Sequence, residues 1–80
     1  MEVTYHVVVP FDRDPEGDLK PGEAAEAPNA RAAERRAAAL ALQHAGAVAF
    51  SRTGDPAVGE FRDAALLARF GEVDLDALSA

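Results

Sequence analysis

The chain has no cysteine among its 80 residues, so neither a disulfide framework nor a thiolate metal site can supplement its core. Large apolar side chains are also few. Of the residues that make up the 49% hydrophobic content, nineteen are alanine and only eighteen are valine, leucine or phenylalanine. Because alanine removes little apolar area from water and a small domain hides a modest share of its surface, we expect a thin core. Self-association is the remaining common supplement, which predicts a homodimer.

Long apolar runs and a surplus of basic charge are missing as well. The longest uninterrupted run of large apolar residues is Val7-Val8-Val9, and no basic stretch followed by an apolar segment opens the chain. Export and membrane insertion are therefore unsupported, and we expect a soluble, cytoplasmic protein without a membrane partner. The formal net charge of −6 disfavours nucleic acid as a partner, because duplex binding rests on neutralising phosphates with Lys and Arg.

The sequence contains no signature of a nucleotide, zinc or nucleophilic site. There is no glycine-rich loop to cradle phosphates, and His6 and His44 have none of the H-x-x-H or H-E-x-x-H spacings of zinc sites. A triad of His44 with Ser51 and Asp63 would need a nucleophile elbow, which is absent. We therefore do not predict an enzyme. A small enzyme with His6 or His44 in an intersubunit cleft is the third hypothesis, after two non-catalytic ones.

The first regular segment is a strand over residues 3–9, which are rich in β-branched and aromatic side chains. Alternation places one set of these side chains on each face: Val3, Tyr5, Val7 and Val9 on one, and Thr4, His6 and Val8 on the other. We expect pairing to weaken at Pro10, which has no N–H to donate. Residues 12–18 predict a turn, and residues 19–27 a loop with at most a short strand. Together they form an acidic loop over residues 12–27.

One helix is predicted, from Asn29 to about Ala45. Asn29 is a good N-cap, the residues that follow are strong helix formers, and Gly46 is the first glycine or proline after it. A stripe of mostly small residues shares the face that is expected to lie on the sheet: Ala33, Ala37, Leu40, Ala41 and His44. Leu42 falls off this stripe, either exposed or in a second contact.

Two further strands complete the predicted fold. Residues 47–53 predict the second strand, and the turn residues from Gly54 to Gly59 predict a hairpin. Residues 60–70 are the return strand, although residues 63–70 also have helical propensity. The tail of residues 74–80 either forms a last turn, held by Leu75 and Leu78, or frays. The prediction is one α+β domain over residues 1–80, ordered β-loop-α-β-β, with the helix packed in two layers on a three- to four-stranded, mostly antiparallel sheet.

A sheet with a single helix leaves one face without cover. We expect the helix against the Val7 side of the first strand. The opposite side, with Thr4, His6 and Val8, then points to water, to a terminal segment or to a second subunit. The leading hypothesis is therefore a homodimeric protein-binding or assembly module without catalysis.

Three arginines on the helix, Arg31, Arg35 and Arg36, are a second candidate for partner binding. They lie in the amino-terminal half of the helix, where the macrodipole does not favour cations. Acids of the same chain, of another subunit or of an anionic partner would hold them. The alternative is a solvated helix face, since exposed charges contribute little to stability.

The acidic loop matches the spacing of the EF-hand calcium loop, in which oxygens surround a hard cation and a glycine permits the bend. The candidate ligands are Asp12, Asp14, Glu16, Asp18 and Glu23, with Gly17 at the glycine position. The match covers twelve residues and departs from the family at Glu16, at Pro15 and Pro21, and in following a strand. The second hypothesis is a calcium-binding structural or regulatory protein, calcium being the one cofactor considered. A solvated hairpin turn is the alternative.

Overall fold

The computed structural model describes residues 1–78, so Ser79 and Ala80, the end of the predicted tail, lie outside the described residues. The described chain forms six strands, one α-helix and one 3-10 helix. They are β1 (Val3–Arg13), β2 (Leu19–Pro21), β3 (Ala25–Ala27), α1 (Ala30–Leu40), β4 (Gly46–Asp55), β5 (Glu60–Phe61), β6 (Ala65–Gly71) and the 3-10 helix Leu75–Leu78. The predicted α+β class with one α-helix is confirmed over this range.

All six strands join one curled antiparallel sheet in which β1 and β4 form the central pair. On the outer side of β1, β2 pairs with its end and β3 with its middle; β5 and β6 divide the outer side of β4 in the same way. The sheet thus has six strands where three or four were predicted, because residues 22–24 and 62–64 interrupt its two edges. Residues 65–71 form a strand and not a helix, as predicted.

Pro10 does not weaken β1, which continues to Arg13, and the prediction on this point was wrong. The Pro10 carbonyl accepts a 2.7 Å hydrogen bond from the Gly22 N–H, in the gap between β2 and β3. The N–H and C=O of one residue point to the same neighbour in an antiparallel strand. The N–H group that proline lacks would therefore face that gap, so its absence removes no hydrogen bond between β1 and β4.

The helix α1 begins as predicted and ends earlier. The Asn29 side chain accepts a 2.8 Å hydrogen bond from the Ala32 N–H, which confirms the N-cap. After Leu40 the chain tightens into turns in which Leu42 bonds back to Ala39 and Gln43 to Leu40. These hydrogen bonds join residues three positions apart instead of four, so the chain leaves the α-helix and bends towards β4. The predicted end near Ala45 was therefore wrong.

The helix lies on the Val8 face of the sheet, opposite to the prediction. Val8 is fully buried in a cluster whose other buried members are all alanines: Ala27, Ala33, Ala37, Ala47 and Ala49. Val8 stands opposite Ala49 in the register of β1 and β4. Small side chains on both surfaces let the helix approach closely, and the bulkier residues of the other face would hold it away. The helix therefore packs on the face that carries these alanines, and Val8 is buried beneath it instead of lying on an open surface.

The second face of the sheet carries the larger side chains. Val9, Phe11 and Val48 are buried there, and the carboxyl-terminal segment covers them with Val73 and Leu78. Val7 and Phe50 of the same face are only partly buried. The cover on this side is therefore a short segment that leaves part of the face open.

Candidate functional site

The acidic loop folds as a hairpin and does not form a ring of oxygens. Lys20 lies opposite Asp12 in the β1–β2 pair. The Asp14 carboxylate accepts the N–H groups of Glu16 at 3.0 Å and Asp18 at 2.9 Å, while Gly17 makes the bend at a φ of 87°. Within residues 1–78, no three His, Asp or Glu side chains form a group that could hold a metal ion. The predicted ligands are thus not brought together, including Glu23, which follows β2.

Asp12 instead joins the hairpin to the end of α1. Its Oδ2 lies 2.5 Å from Nδ1 of His44, and its Oδ1 accepts the Ala45 N–H at 3.2 Å. The hydrogen bond from His44 lowers the pKa of the Asp12 carboxyl; the Ala45 N–H acts in the same direction and desolvation opposes it. This pair was not predicted, since its members are far apart in sequence and each was assigned to a different role.

A carboxylate that orients a histidine is one part of a nucleophilic triad, but Ser51, the serine considered for such a triad, lies elsewhere. Ser51 stands opposite His6 in the central pair. Asp12 lies six positions after His6 in β1, a distance of about 20 Å along a strand. Ser51 therefore lies far from His44, and the Asp12–His44 pair joins the hairpin to the segment after α1. We refer to this pair as the clasp.

The clasp predicts a pH-dependent effect of Asp12→Asn. Because the pKa of Asp12 is lower in the folded chain, its stabilising contribution is present above the unfolded pKa of about 4 and is lost as the pH falls through the folded pKa. Urea unfolding should show a lower midpoint for the variant at neutral pH, and a smaller difference from wild type at pH 3. Asp18→Asn, which removes an exposed carboxylate of the same hairpin, should give no such pH-dependent difference. A difference for Asp12→Asn that is equal at both pH values would contradict the role of its charge.

The other residues predicted to bind a partner occupy two places. Thr4 and Thr53 share a 2.8 Å hydrogen bond between their hydroxyl groups, next to the half-buried His6. On the helix, Arg36 donates to the main-chain oxygen of Glu26 at 3.2 Å, and Arg31 and Arg35 are exposed. The structure thus separates these groups. Arg36 contacts the main chain of the acidic loop at Glu26, and within residues 1–78 none of the three arginines forms an ion pair with a carboxylate.

An apolar cleft lies on the second face of the sheet. Its volume is about 250 Å³, and strands β4 and β6, the chain before β6 and the 3-10 helix contribute its walls: Val48, Phe50, Arg52, Ala64, Leu66, Leu75 and Leu78. We refer to this set as the second-face cleft. The sequence did not predict it, because its walls come from segments that only the sheet register and the carboxyl-terminal segment bring together.

The two edges of the sheet differ in how well they are protected against pairing with another strand. The edge next to β1 is divided into two three-residue strands, which carry Lys20, Pro21 and Glu26. The edge next to β4 includes β6, a strand of seven residues without proline, whose one charged residue is Arg69. Short strands, proline, charge and bulges are the usual means of blocking an edge. β6 has only Arg69 and a bulge at Leu67, where the register with β4 shifts.

Comparisons with known proteins add no family to this description. A scan against protein-family models, a search of curated proteins and a search of solved structures each gave no match. Among residues 1–78, no helix combines the length and the apolar character that a membrane span requires. Three features of the described residues bear on function: the β6 edge, the second-face cleft and the clasp.

Proposed function

We propose that the protein is a homodimeric assembly module without catalysis, in which β6 pairs with β6 of a second copy. The observation that carries this proposal is the contrast between β6 and the strands of the opposite edge. β2 and β3 have three residues each and carry charge and proline, whereas β6 has seven residues and one charge. An exposed strand edge presents unpaired N–H and C=O groups that another strand can satisfy. Pairing of two copies at β6 would extend the sheet across the dimer.

The apolar side chains of β6 support pairing on both faces of the sheet. Leu66 stands opposite Phe50 and belongs to the second face, while Phe70 stands opposite Ala47 and belongs to the helix face. Leu66 is 53% exposed and Phe70 is 36% exposed. A second copy at this edge would place apolar atoms next to both side chains, which adds the burial that large apolar residues supply.

The thin core and the distribution of charge favour a second copy as the occupant. Nine hydrophobic residues are buried in residues 1–78, and five of them are alanine, so the chain has more to gain from added burial than a domain with a full core. The net charge of −6 opposes association through most surfaces. β6 contains no acid, so its edge can approach a copy of itself without bringing carboxylates together. A cytoplasmic location and a further protein partner remain predictions from the sequence.

A Phe70→Lys variant tests the dimer. A lysine at this edge opposes strand pairing because its charge would have to be buried or held close to its symmetry mate. Light scattering after size exclusion should give the wild type at micromolar concentration a mass of twice 8.4 kDa, and the variant the mass of one chain. Circular dichroism checks that the variant is folded.

Leu42→Lys is the matched control, because it makes the same kind of change at an apolar side chain that is 87% exposed and lies in the turn after α1, outside β6. This variant should remain a dimer. A monomeric wild type at micromolar concentration would contradict the proposal. So would a folded Phe70→Lys variant that stays dimeric.

A further inference from the structure

The second-face cleft contains one charged side chain among apolar walls. Six of its seven lining residues are apolar, and the seventh is Arg52. The guanidinium carbon of Arg52 lies 5.6 Å from the centre of the Phe61 ring, and its Nε donates to the Arg62 main-chain oxygen at 3.3 Å. Arg52 is exposed, and these contacts place its guanidinium group beside the Phe61 ring. Its terminal nitrogens have no hydrogen-bond or ion-pair partner among residues 1–78.

The size of the cleft limits what can enter it. A volume of about 250 Å³ exceeds the roughly 150 Å³ of a cavity that takes up benzene and falls below the roughly 300 Å³ at which pockets for drug-sized ligands begin. One ring or a short alkyl chain therefore fits. The walls supply apolar contact and no acid, so they do not repel an anion.

We propose that the cleft binds a short amphipathic carboxylate. Its apolar part would lie against Val48, Phe50 and Leu75, and its carboxylate would accept hydrogen bonds from the terminal nitrogens of Arg52, which match a carboxylate with two parallel donors. The site does not depend on the proposed dimer. Leu66 is the one cleft residue that belongs to β6, whereas Val48, Phe50, Arg52 and Leu75 lie outside that strand.

Sodium octanoate is the probe that tests the site, in a titration of the whole chain followed by proton–nitrogen NMR. The amides of Phe50, Arg52 and Leu66 should shift and saturate at millimolar octanoate, together with the Nε–H of Arg52. Octanol, with the same chain and no carboxylate, should bind about tenfold more weakly, and octylammonium more weakly still, because charge-assisted hydrogen bonds to arginine are lost. Saturation at the cleft by octanol or octylammonium as readily as by octanoate would overturn the proposal.

Two variants separate the role of Arg52 from that of the apolar walls. Arg52→Gln should weaken octanoate binding roughly tenfold, whereas Arg35→Gln, the same change at an exposed arginine of α1, should leave it unchanged. Ala64→Phe places a ring in the cleft and should abolish binding while Arg52 remains.

The titration also distinguishes binding in the cleft from non-specific binding and from a subunit interface at the cleft. Unchanged affinity in a folded Arg52→Gln variant, or shifts that spread over the surface without saturating, would overturn it. Octanoate that converts dimer to monomer would also overturn it, because the cleft would then be the subunit interface. A wild type that is monomeric throughout contradicts the dimer and leaves this site standing if the octanoate shifts saturate.

Discussion

A Phe11→Ala variant is expected to lose a large part of the free energy of unfolding. Phe11 is the largest fully buried side chain, with no exposed area, and it packs in the cluster with Val9 and Val48. Truncation of a buried phenylalanine costs about 3–5 kcal/mol. At roughly 0.05–0.15 kcal/mol per residue, a chain of this length has a free energy of unfolding of about 4–12 kcal/mol. The loss therefore removes a large part of the stability, and the thin core has few other large side chains to compensate.

Urea unfolding followed by circular dichroism measures this loss, and Phe61→Ala is the matched control. Phe61 is 40% exposed and makes a ring contact with Tyr5 at 6.2 Å besides its contact with Arg52. Its removal should cost about 1 kcal/mol, since exposed aromatic and cation–π contacts are each of that order or smaller. Equal losses for the two variants would show that Phe11 does not anchor the second face.

A Gly46→Ala variant is expected to lose several kcal/mol, about 3 or more. Gly46 is buried at the start of β4, between Phe11 of β1 and Gly71 of β6. A Cβ on Gly46 would overlap the main-chain carbonyl of Glu72. Glu72 is fixed at that place by the 3.0 Å hydrogen bond from its N–H to the Ala45 oxygen. The clash involves backbone on both sides, so no rotamer change relieves it.

Gly17→Ala separates this steric effect from the conformational one. Gly17 has a φ of 87°, and a Cβ there would meet no atom within 4 Å. Alanine should cost only about 1 kcal/mol at such a position, through the strain of a positive φ. Thermal unfolding of both variants checks the order. A Gly46→Ala protein as stable as Gly17→Ala would mean that β6 can move away from β4 without loss of stability.

The sequence pattern predicted elements that are local and left open the contacts between them. Alternating β-branched residues located β1, and Asn29 marked the start of α1, because a strand period and a cap depend on neighbouring residues. The face of β1 beneath the helix was predicted wrongly. Alternation in β1 alone favours the face of Val7 and Val9, but the choice depends on Ala47 and Ala49, and so on the register of a strand that follows much later.

The candidate sites likewise depend on contacts between elements, which local sequence patterns do not predict. The spacing of Asp12 and Asp14 suggested a calcium loop, yet the Asp12 carboxylate forms a hydrogen bond with His44, a residue that no local pattern connects with it. The charged Arg52 and the apolar Leu75 reach one cleft through the sheet register and the carboxyl-terminal segment. The β6 edge was predicted as a strand, but its exposure could be judged only beside the protected opposite edge.

The central pairing of β1 with β4 has a consequence for synthesis of the chain. β1 is complete at Arg13, whereas its main partner begins at Gly46 and ends at Asp55. A nascent chain therefore holds an apolar strand that only the short β2 and β3 can partner until residues 46–55 have left the ribosome. Closing such a non-local pair slows folding compared with a helical bundle of the same length, and chaperones have longest access to Tyr5 through Val9 in this interval.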